Sequence, residues 1–303
     1  MKTKKILLFL LFAVILSWSL AGVIYWLHID IKSLKGTLIL VGYMFMPALS
    51  VLLVQKVIFK EEMIKPLHIS FRLNYFFLWA LLIPLVLVFI ATGIGFLFPG
   101  ISFCSDMSGI IEMNRDRMTP EDIDKMQQSI NMLPIHPVWI SIAQGLFAAA
   151  TINAIAAFGE ELGWRGFLLS HLKKLSFFKA SVLIGVIWGL WHAPIILMGH
   201  NYPQHPQWGV LFMTIFCTLY TFLFLYITIK SRSVIAASLM HGSINAFAGI
   251  TLMFSKGIND LLAGITGVAG FITLFLAIFL VLIYDRWISK ERVMAKTIGE
   301  FLI

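Results

Sequence analysis

Two adjacent acidic residues, Glu160 and Glu161, interrupt an apolar stretch of this sequence, and an arginine follows at Arg165. Residues four apart share one face of an α-helix, so Arg165 is placed to neutralise Glu161. At about 3.6 residues per turn, Glu160 points about 100° away from Glu161 and has no local charged partner. A carboxylate in such apolar surroundings suits the work of a general base. The alternative is that both acids lie at a membrane interface and are solvated there.

A histidine stands in the next apolar stretch at His192. It shares a helical face with Trp188 and comes just before Pro194, which disrupts a helix and frees the carbonyl of Leu190. A single histidine inside a membrane is more often the donor of an interhelical hydrogen bond than a catalyst. His192 alone therefore decides nothing about chemistry.

A second histidine, His241, is followed four residues later by Asn245. The spacing directs both side chains to one face of a helix, about two turns inside the membrane from Ser233. Two hydrogen-bond donors on one face suit the stabilisation of a developing negative charge. A packing pair is the structural alternative, with Ser243 as a further interhelical contact.

The composition shows what kind of element must carry these residues. Of the 303 residues, 59% are hydrophobic and 13% are charged, with a mean hydropathy of +0.91, which excludes a water-soluble globule. The net charge of +8 does not indicate a nucleic-acid partner, because the basic residues lie between apolar stretches rather than along one face. The two cysteines, Cys104 and Cys217, support neither a disulfide framework nor a CxxC metal site.

Eight apolar stretches approach the roughly 20 residues that an α-helix needs to cross a bilayer. We therefore predict an all-α, polytopic bundle of about eight transmembrane helices, forming a single membrane domain over 1–303. The first stretch is longer than the apolar part of a signal peptide, so it is interpreted as a retained helix. The predicted spans are 6–28, 37–59, 74–98, 138–160, 180–199, 208–229, 233–254 and 261–284.

The basic residues predict the orientation of the bundle. With a cytoplasmic N-terminus, 17 of the 23 Lys and Arg residues fall in cytoplasmic segments, as the positive-inside rule requires. The protein is thus predicted to be a multi-pass protein of the cell membrane with both termini cytoplasmic. The hydrophilic loop of about 101–136 is then outside, and Thr119 before Pro120 predicts a surface helix over roughly 120–132.

The fourth span has a further peculiarity, because apolar residues continue beyond it to Leu172. A straight helix from Val138 to Leu172 is too long for one crossing. We therefore expect a bend or break near Gly159 or Gly163, or a tilted helix.

Under this topology the polar residues named above all map to the cytoplasmic half of the bundle. One carboxylate, a neighbouring histidine and a pair of donors are what water-mediated peptide hydrolysis requires. Glu160, assisted by His192, takes a proton from the attacking water, while His241 and Asn245 donate to the oxyanion.

Three motifs in this order resemble those of a known family: the type II CAAX prenyl endopeptidases and the related CAAX-protease and bacteriocin-processing proteins, also called the Abi family. The family pattern is EExxxR, an aromatic residue followed by xxxH, and HxxxN or HxxxD. The resemblance covers a core of about 138–250 and favours the bacterial branch. The motifs stand here as Glu160-Glu161-Leu162-Gly163-Trp164-Arg165, Trp188-Gly189-Leu190-Trp191-His192 and His241-Gly242-Ser243-Ile244-Asn245.

The resemblance implies an intramembrane endopeptidase of the glutamate type, acting on membrane-associated or lipidated proteins or peptides from a cavity open to the cytosol. It gives Glu161, Arg165 and Trp188 supporting roles. Members are often described as metalloproteases, and a zinc ion would be bound here by Glu160, His192 and His241. Since no HExxH motif occurs and a Glu/His pair can activate water, no cofactor is expected to be required.

Two other classes of function remain open. A non-catalytic bacteriocin-immunity or membrane scaffolding protein would use the motifs only to hold helices together. A small transporter would use Glu160 and His192 as a proton relay, although such proteins usually show inverted repeats or paired broken helices. The substrate, the oligomeric state and the biological pathway are left open.

Overall fold

The computed structural model describes residues 2–115 and 118–301, so Asp116 and Arg117 of the predicted loop lie outside the described residues. The described chain is nearly all helical. Short π-helical turns, Leu52–Ile58 and Leu162–Leu168, continue α2 and α7, and the two-residue strands β1 (Ser102–Phe103) and β2 (Ser255–Lys256) pair antiparallel. The helices are α1 Lys2–Trp26, α2 Leu34–Val51, α3 Tyr75–Gly95, α4 Ser108–Asn114, α5 Pro120–Asn131, α6 Pro137–Ala150, α7 Ile152–Glu161, α8 Leu169–His171, α9 Phe177–Trp191, α10 Ala193–Leu197, α11 Pro206–Ser231, α12 Val234–Phe247, α13 Ile250–Phe254 and α14 Val268–Trp287.

The bundle confirms the predicted all-α, polytopic membrane fold. Within the described residues, six helices are long and apolar enough to cross a membrane, and the bent pair α6 and α7–α8 brings the number to seven. The remaining predicted span, 180–199, is the shorter apolar helix α9, which ends at Trp191. The helix ends there because the chain turns at His192, two residues before Pro194.

The bend in the fourth span lies at Thr151, where the helix axis turns by 47°. The prediction of a bend at Gly159 or Gly163 was therefore wrong in position, although Gly163 lies within a π-helical turn. Both glycines serve close packing instead. A Cβ on Gly159 would lie 2.5 Å from the Met44 carbonyl oxygen, and one on Gly163 would lie 2.7 Å from Pro47 Cβ.

Small residues also set the distance between α9 and α11. A Cβ on Gly185 would lie 2.4 Å from Thr218 Cα, and one on Gly189 would lie 2.4 Å from Thr214 Cα. The two backbones approach this closely because both glycines lie on the contact face. Trp188, next to Gly189, consequently lies in the interior of the bundle and is 2% exposed.

The helix α12 fits against the bend between α6 and α7 in the same way. A Cβ on Gly242 would lie 2.6 Å from the Ala154 nitrogen and 2.8 Å from the Ala149 carbonyl oxygen. Asn153 Nδ2 donates to the Gly242 carbonyl at 3.3 Å. His241, the residue before Gly242, is consequently held beside α7.

The predicted surface helix is confirmed as α5, Pro120–Asn131. Thr119 Oγ1 accepts from the Asp122 amide at 3.2 Å, and the Thr119 amide donates to Asp122 Oδ2 at 3.0 Å. These reciprocal bonds form a capping box. The hydrogen bonds from Thr119 also hold the pKa of the Asp122 carboxyl below its ordinary value.

Candidate active site

Trp188 stands at the centre of the polar residues from the three motifs. Its indole Nε1 donates to Glu160 Oε2 at 2.6 Å. The rings of His192 and His241 lie edge-on to it, with centroids 5.6 and 5.5 Å away. Glu160 also lies within electrostatic range of His241. One indole thus joins residues from α7, α9 and α12, and it gives Glu160 the partner that the local sequence lacks.

Glu161 has different partners from its neighbour. Its Oε1 accepts from Arg165 at 3.1 Å and from His241 Nδ1 at 2.8 Å. The side chains of Glu161 and Arg165 are fully buried. The i,i+4 ion pair of Glu161 with Arg165 is therefore present. Glu161 also connects α7 to α12, because it binds a ring nitrogen of His241.

Arg165 is held by α11 as well as by Glu161. Its guanidinium lies 4.3 Å from the centroid of the Trp188 ring and 4.1 Å from that of Phe224. It also donates to Thr221 Oγ1 at 2.9 Å. Stacking between two aromatic faces suits the planar guanidinium. Thr221 and Phe224 were not predicted as site residues, because a threonine and a phenylalanine in an aromatic-rich span carry no distinguishing local signal.

His192 is oriented by the backbone of its own helix. Its Nδ1 lies 2.8 Å from the Trp188 carbonyl oxygen, which can only accept, so Nδ1 carries the proton and Nε2 presents a lone pair. The residue is 7% exposed and directly follows the end of α9. An unprotonated Nε2 is the form that can accept a proton from water.

Asn245 stands apart from the other predicted residues. It follows His241 by one helical turn on α12, yet it is exposed, whereas His241 is 4% exposed. No hydrogen bond within the described part of the chain links Asn245 to the buried cluster. The structure thus brings together six of the seven predicted site residues: Glu160, Glu161, Arg165, Trp188, His192 and His241.

The arrangement does not fit a three-ligand metal site. Within residues 2–115 and 118–301, no three His, Cys, Asp or Glu side chains are placed to hold one ion. Glu160 faces the Trp188 indole, and His241 faces Glu161. The alternative ligand set of Glu160, His192 and His241 is therefore not assembled around a common point.

Comparison with known proteins finds similarity over the segment that contains this cluster. The model of the family described as type II CAAX prenyl endopeptidase Rce1-like matches residues 141–247. A relative named CAAX prenyl protease 2, from Methanococcus maripaludis, is 32% identical over 151 residues, which is 46% of this chain and 50% of the relative. The chain thus spans about half the length of the curated relative it matches. The matched residues 141–247 contain all three motifs, so this part of the chain is similar to the Rce1-like type II CAAX prenyl endopeptidases.

Proposed function

We propose that this protein is an intramembrane endopeptidase that hydrolyses peptide bonds of membrane-associated or lipidated proteins or peptides. The observation that carries the proposal is the meeting of Glu160, His192 and His241 around Trp188 within the region that matches a protease family. Burying three ionisable side chains in an apolar bundle costs free energy, and such groups in a membrane usually have a function.

Glu160 and His192 are the proposed water-activating pair. The Trp188 indole fixes Glu160 Oε2, so Oε1 is the oxygen that we assign to the water. The hydrogen bond of His192 Nδ1 to the Trp188 carbonyl leaves Nε2 as the second acceptor. As the water oxygen attacks the peptide carbonyl, its proton passes to Glu160, assisted by His192. The tetrahedral intermediate then collapses, the C–N bond breaks, and the same proton is donated to the leaving amine.

His241 and Asn245 are the proposed donors to the oxyanion. His241 Nδ1 is bound to Glu161, so Nε2 is the nitrogen that faces the substrate when the ring carries both protons. The Glu161 carboxylate would then stabilise the imidazolium that binds the oxyanion. Asn245 lies one turn further along α12 and is exposed, so we assign its amide to the edge of the site, where a substrate would enter. We propose that His241 and Asn245 stabilise the oxyanion without a bound metal ion.

The substrate is proposed to approach from the cytosol. The positive-inside rule places the cluster in the cytoplasmic half of the bundle, and the relative's name describes a CAAX prenyl protease. A peptide ending in the four-residue CAAX motif, with its cysteine prenylated, is therefore the first substrate to test. An unprenylated copy separates recognition of the lipid from recognition of the peptide.

The test is cleavage of these two peptides by purified protein in proteoliposomes, comparing wild type with Glu160→Gln. The amide cannot accept a proton from water, so kcat should fall on the order of 100-fold or more. Glu121→Gln is the matched control, because Glu121 is an exposed residue of α5 that pairs with Lys125, and its kcat should equal that of wild type.

Two results would overturn parts of the proposal. Full activity of Glu160→Gln in cleavage or in the protein's cellular assay would favour the non-catalytic scaffolding or immunity role. Loss of cleavage with a strong chelator, restored by zinc, would refute the metal-free mechanism and leave the protease assignment standing. We expect the rate to be unchanged by chelation.

A further inference from the structure

Trp191 links the site to the first two helices, which lie outside the matched region. Its carbonyl oxygen accepts hydrogen bonds from Tyr43 Oη at 2.6 Å and from Trp18 Nε1 at 3.1 Å. Its own indole Nε1 donates to Ser17 Oγ at 2.8 Å. Three side chains, two from α1 and one from α2, therefore hold a single residue of α9 by both its backbone and its ring.

Most of these residues lie in the interior of the bundle, although Trp18 is 43% exposed. Ser17 is fully buried, Tyr43 is 1% exposed and Trp191 is 2% exposed. The rings of Tyr43 and Trp191 pack with centroids 4.4 Å apart. A backbone carbonyl at a helix end has no water to bind at this depth, so loss of both donors would leave an expensive unpaired group. The hydrogen bonds therefore hold Trp191 in place at the end of α9.

The position of Trp191 at the end of α9 affects the orientation of the His192 side chain. Trp191 is the last residue of α9, and His192 is the next. The Trp191 ring lies 4.7 Å from the His192 ring and nearly perpendicular to it, at 80°. It also lies 5.8 Å from the ring of Trp164, which precedes Arg165. A shift of Trp191 would therefore move His192, one of the two proposed water-activating residues.

We propose that Ser17, Trp18 and Tyr43 form a clamp on Trp191 that sets the orientation of His192 for proton transfer. The inference rests on the proposed function of His192, and it makes the three clamp residues positioning residues rather than catalytic ones. It also makes α1 and α2, which precede residues 141–247, a working part of the site. Residues 141–247 alone contain His192 but lack the three clamp residues.

The test compares steady-state cleavage by wild type, Tyr43→Phe and Ser17→Ala in proteoliposomes. Each change deletes one hydrogen-bonding group of the clamp and keeps most of the packing. Because His192 acts in the chemical step, kcat should fall on the order of tenfold while KM stays within about twofold. The double variant Trp18→Phe with Tyr43→Phe removes both donors to the Trp191 carbonyl and should lose more than either change alone.

Thr92→Val is the matched control, since it deletes another buried interhelical hydrogen bond, between Thr92 Oγ1 and Thr251 Oγ1 at 2.8 Å. It should lower stability but leave kcat and KM unchanged. A clamp that is merely structural would give Tyr43→Phe the same kinetics as Thr92→Val, and that result would overturn the proposal.

A readout that needs no activity keeps this inference separate from the protease assignment. Carbon-13 and nitrogen-15 NMR of labelled histidine reports the tautomer of His192, which can be assigned by loss of its signal in His192→Gln. Tyr43→Phe should shift that signal, and Thr92→Val should not. An inactive wild type with this shift would refute the protease and keep the clamp. An active wild type whose Tyr43→Phe variant shows neither the shift nor the kcat loss would refute the clamp alone.

Discussion

Glu160 and Glu161 are adjacent in the chain, yet each meets a different chemical environment. Glu160 is bound by the neutral indole of Trp188, whereas Glu161 is bound by Arg165 and His241. The difference follows from the turn of the helix, which directs consecutive side chains to different neighbours. One carboxylate is therefore compensated by a buried cation, and the other is left for the reaction.

This division predicts unequal effects of two matched substitutions on stability. Glu161→Gln should lower the free energy of unfolding by roughly 3–5 kcal/mol, because it leaves the buried Arg165 cation uncompensated. Glu160→Gln should change it by less than about 1 kcal/mol, because the amide oxygen still accepts from Trp188. Reversible denaturation in mixed micelles measures both values. Equal losses for the two variants would show that Glu160 is also held by the buried cation.

At the scale of the elements, the closest helix contact depends on glycine. The helices α9 and α11 lie so close together that the Thr218 backbone occupies the space that a side chain at Gly185 would need. This contact sets the depth of Trp188, one turn later, and so the position of the indole that binds Glu160. Stability and activity should therefore respond together to the loss of this contact.

Gly185→Ala should lower the free energy of unfolding by about 1–3 kcal/mol, because the new methyl group meets the Thr218 backbone and the helices must separate. The control is Gly93→Ala in α3, where no atom lies within 4 Å of the added Cβ. Alanine is the better helix former, so this change should be neutral or stabilising by up to about 1 kcal/mol. A stable Gly185→Ala variant would mean that the α9–α11 contact is loose.

Much of the helical architecture was predictable because it depends on local composition. Apolar length predicted the spans, and the capping signal at Thr119 predicted α5. The bend was placed wrongly, because a glycine marks either a distortion or a close approach, and the sequence does not say which. Gly159 and Gly163 mark approaches to α2, whereas the bend occurs at Thr151.

The candidate site was predictable to the same limited extent. Spacing within one helix indicated the pair of Glu161 with Arg165, and this pair is present. The partners from other helices were not predictable, since a sequence does not say which helices meet. Trp188 on Glu160, Thr221 on Arg165 and the clamp on Trp191 are all contacts of this kind.

The orientation of the whole molecule decides which substrates can reach the cluster, and it remains a prediction from the basic residues. Single cysteines at Lys125 and Lys174, both exposed, would report it through labelling with a membrane-impermeant maleimide. Lys125→Cys should be labelled in intact cells, and Lys174→Cys only after permeabilisation. The native Cys104 and Cys217 are buried and free, so the unsubstituted protein serves as the background control.

The reverse labelling pattern would place the cluster in the outer half of the bundle. Peptides with a cytosolic CAAX end would then be out of reach, although the buried arrangement of Glu160, His192 and His241 would be unchanged. The labelling thus tests the proposed substrate class independently of the chemistry.

The buried cluster also bears on how the chain enters the membrane during synthesis. The charges of α7 and of the π-helical turn that continues it are enclosed by Thr221 and Phe224 on α11 and by His241 on α12, all of which emerge from the ribosome later. A charge at the centre of an isolated inserted helix costs roughly 2.5–3.5 kcal/mol. The Glu161–Arg165 pair can form at once, but Glu160 has no partner until α9 is made. The segment that carries the chemistry is therefore expected to enter the bilayer fully only after later helices have joined it, which makes insertion of this region dependent on the helices that follow.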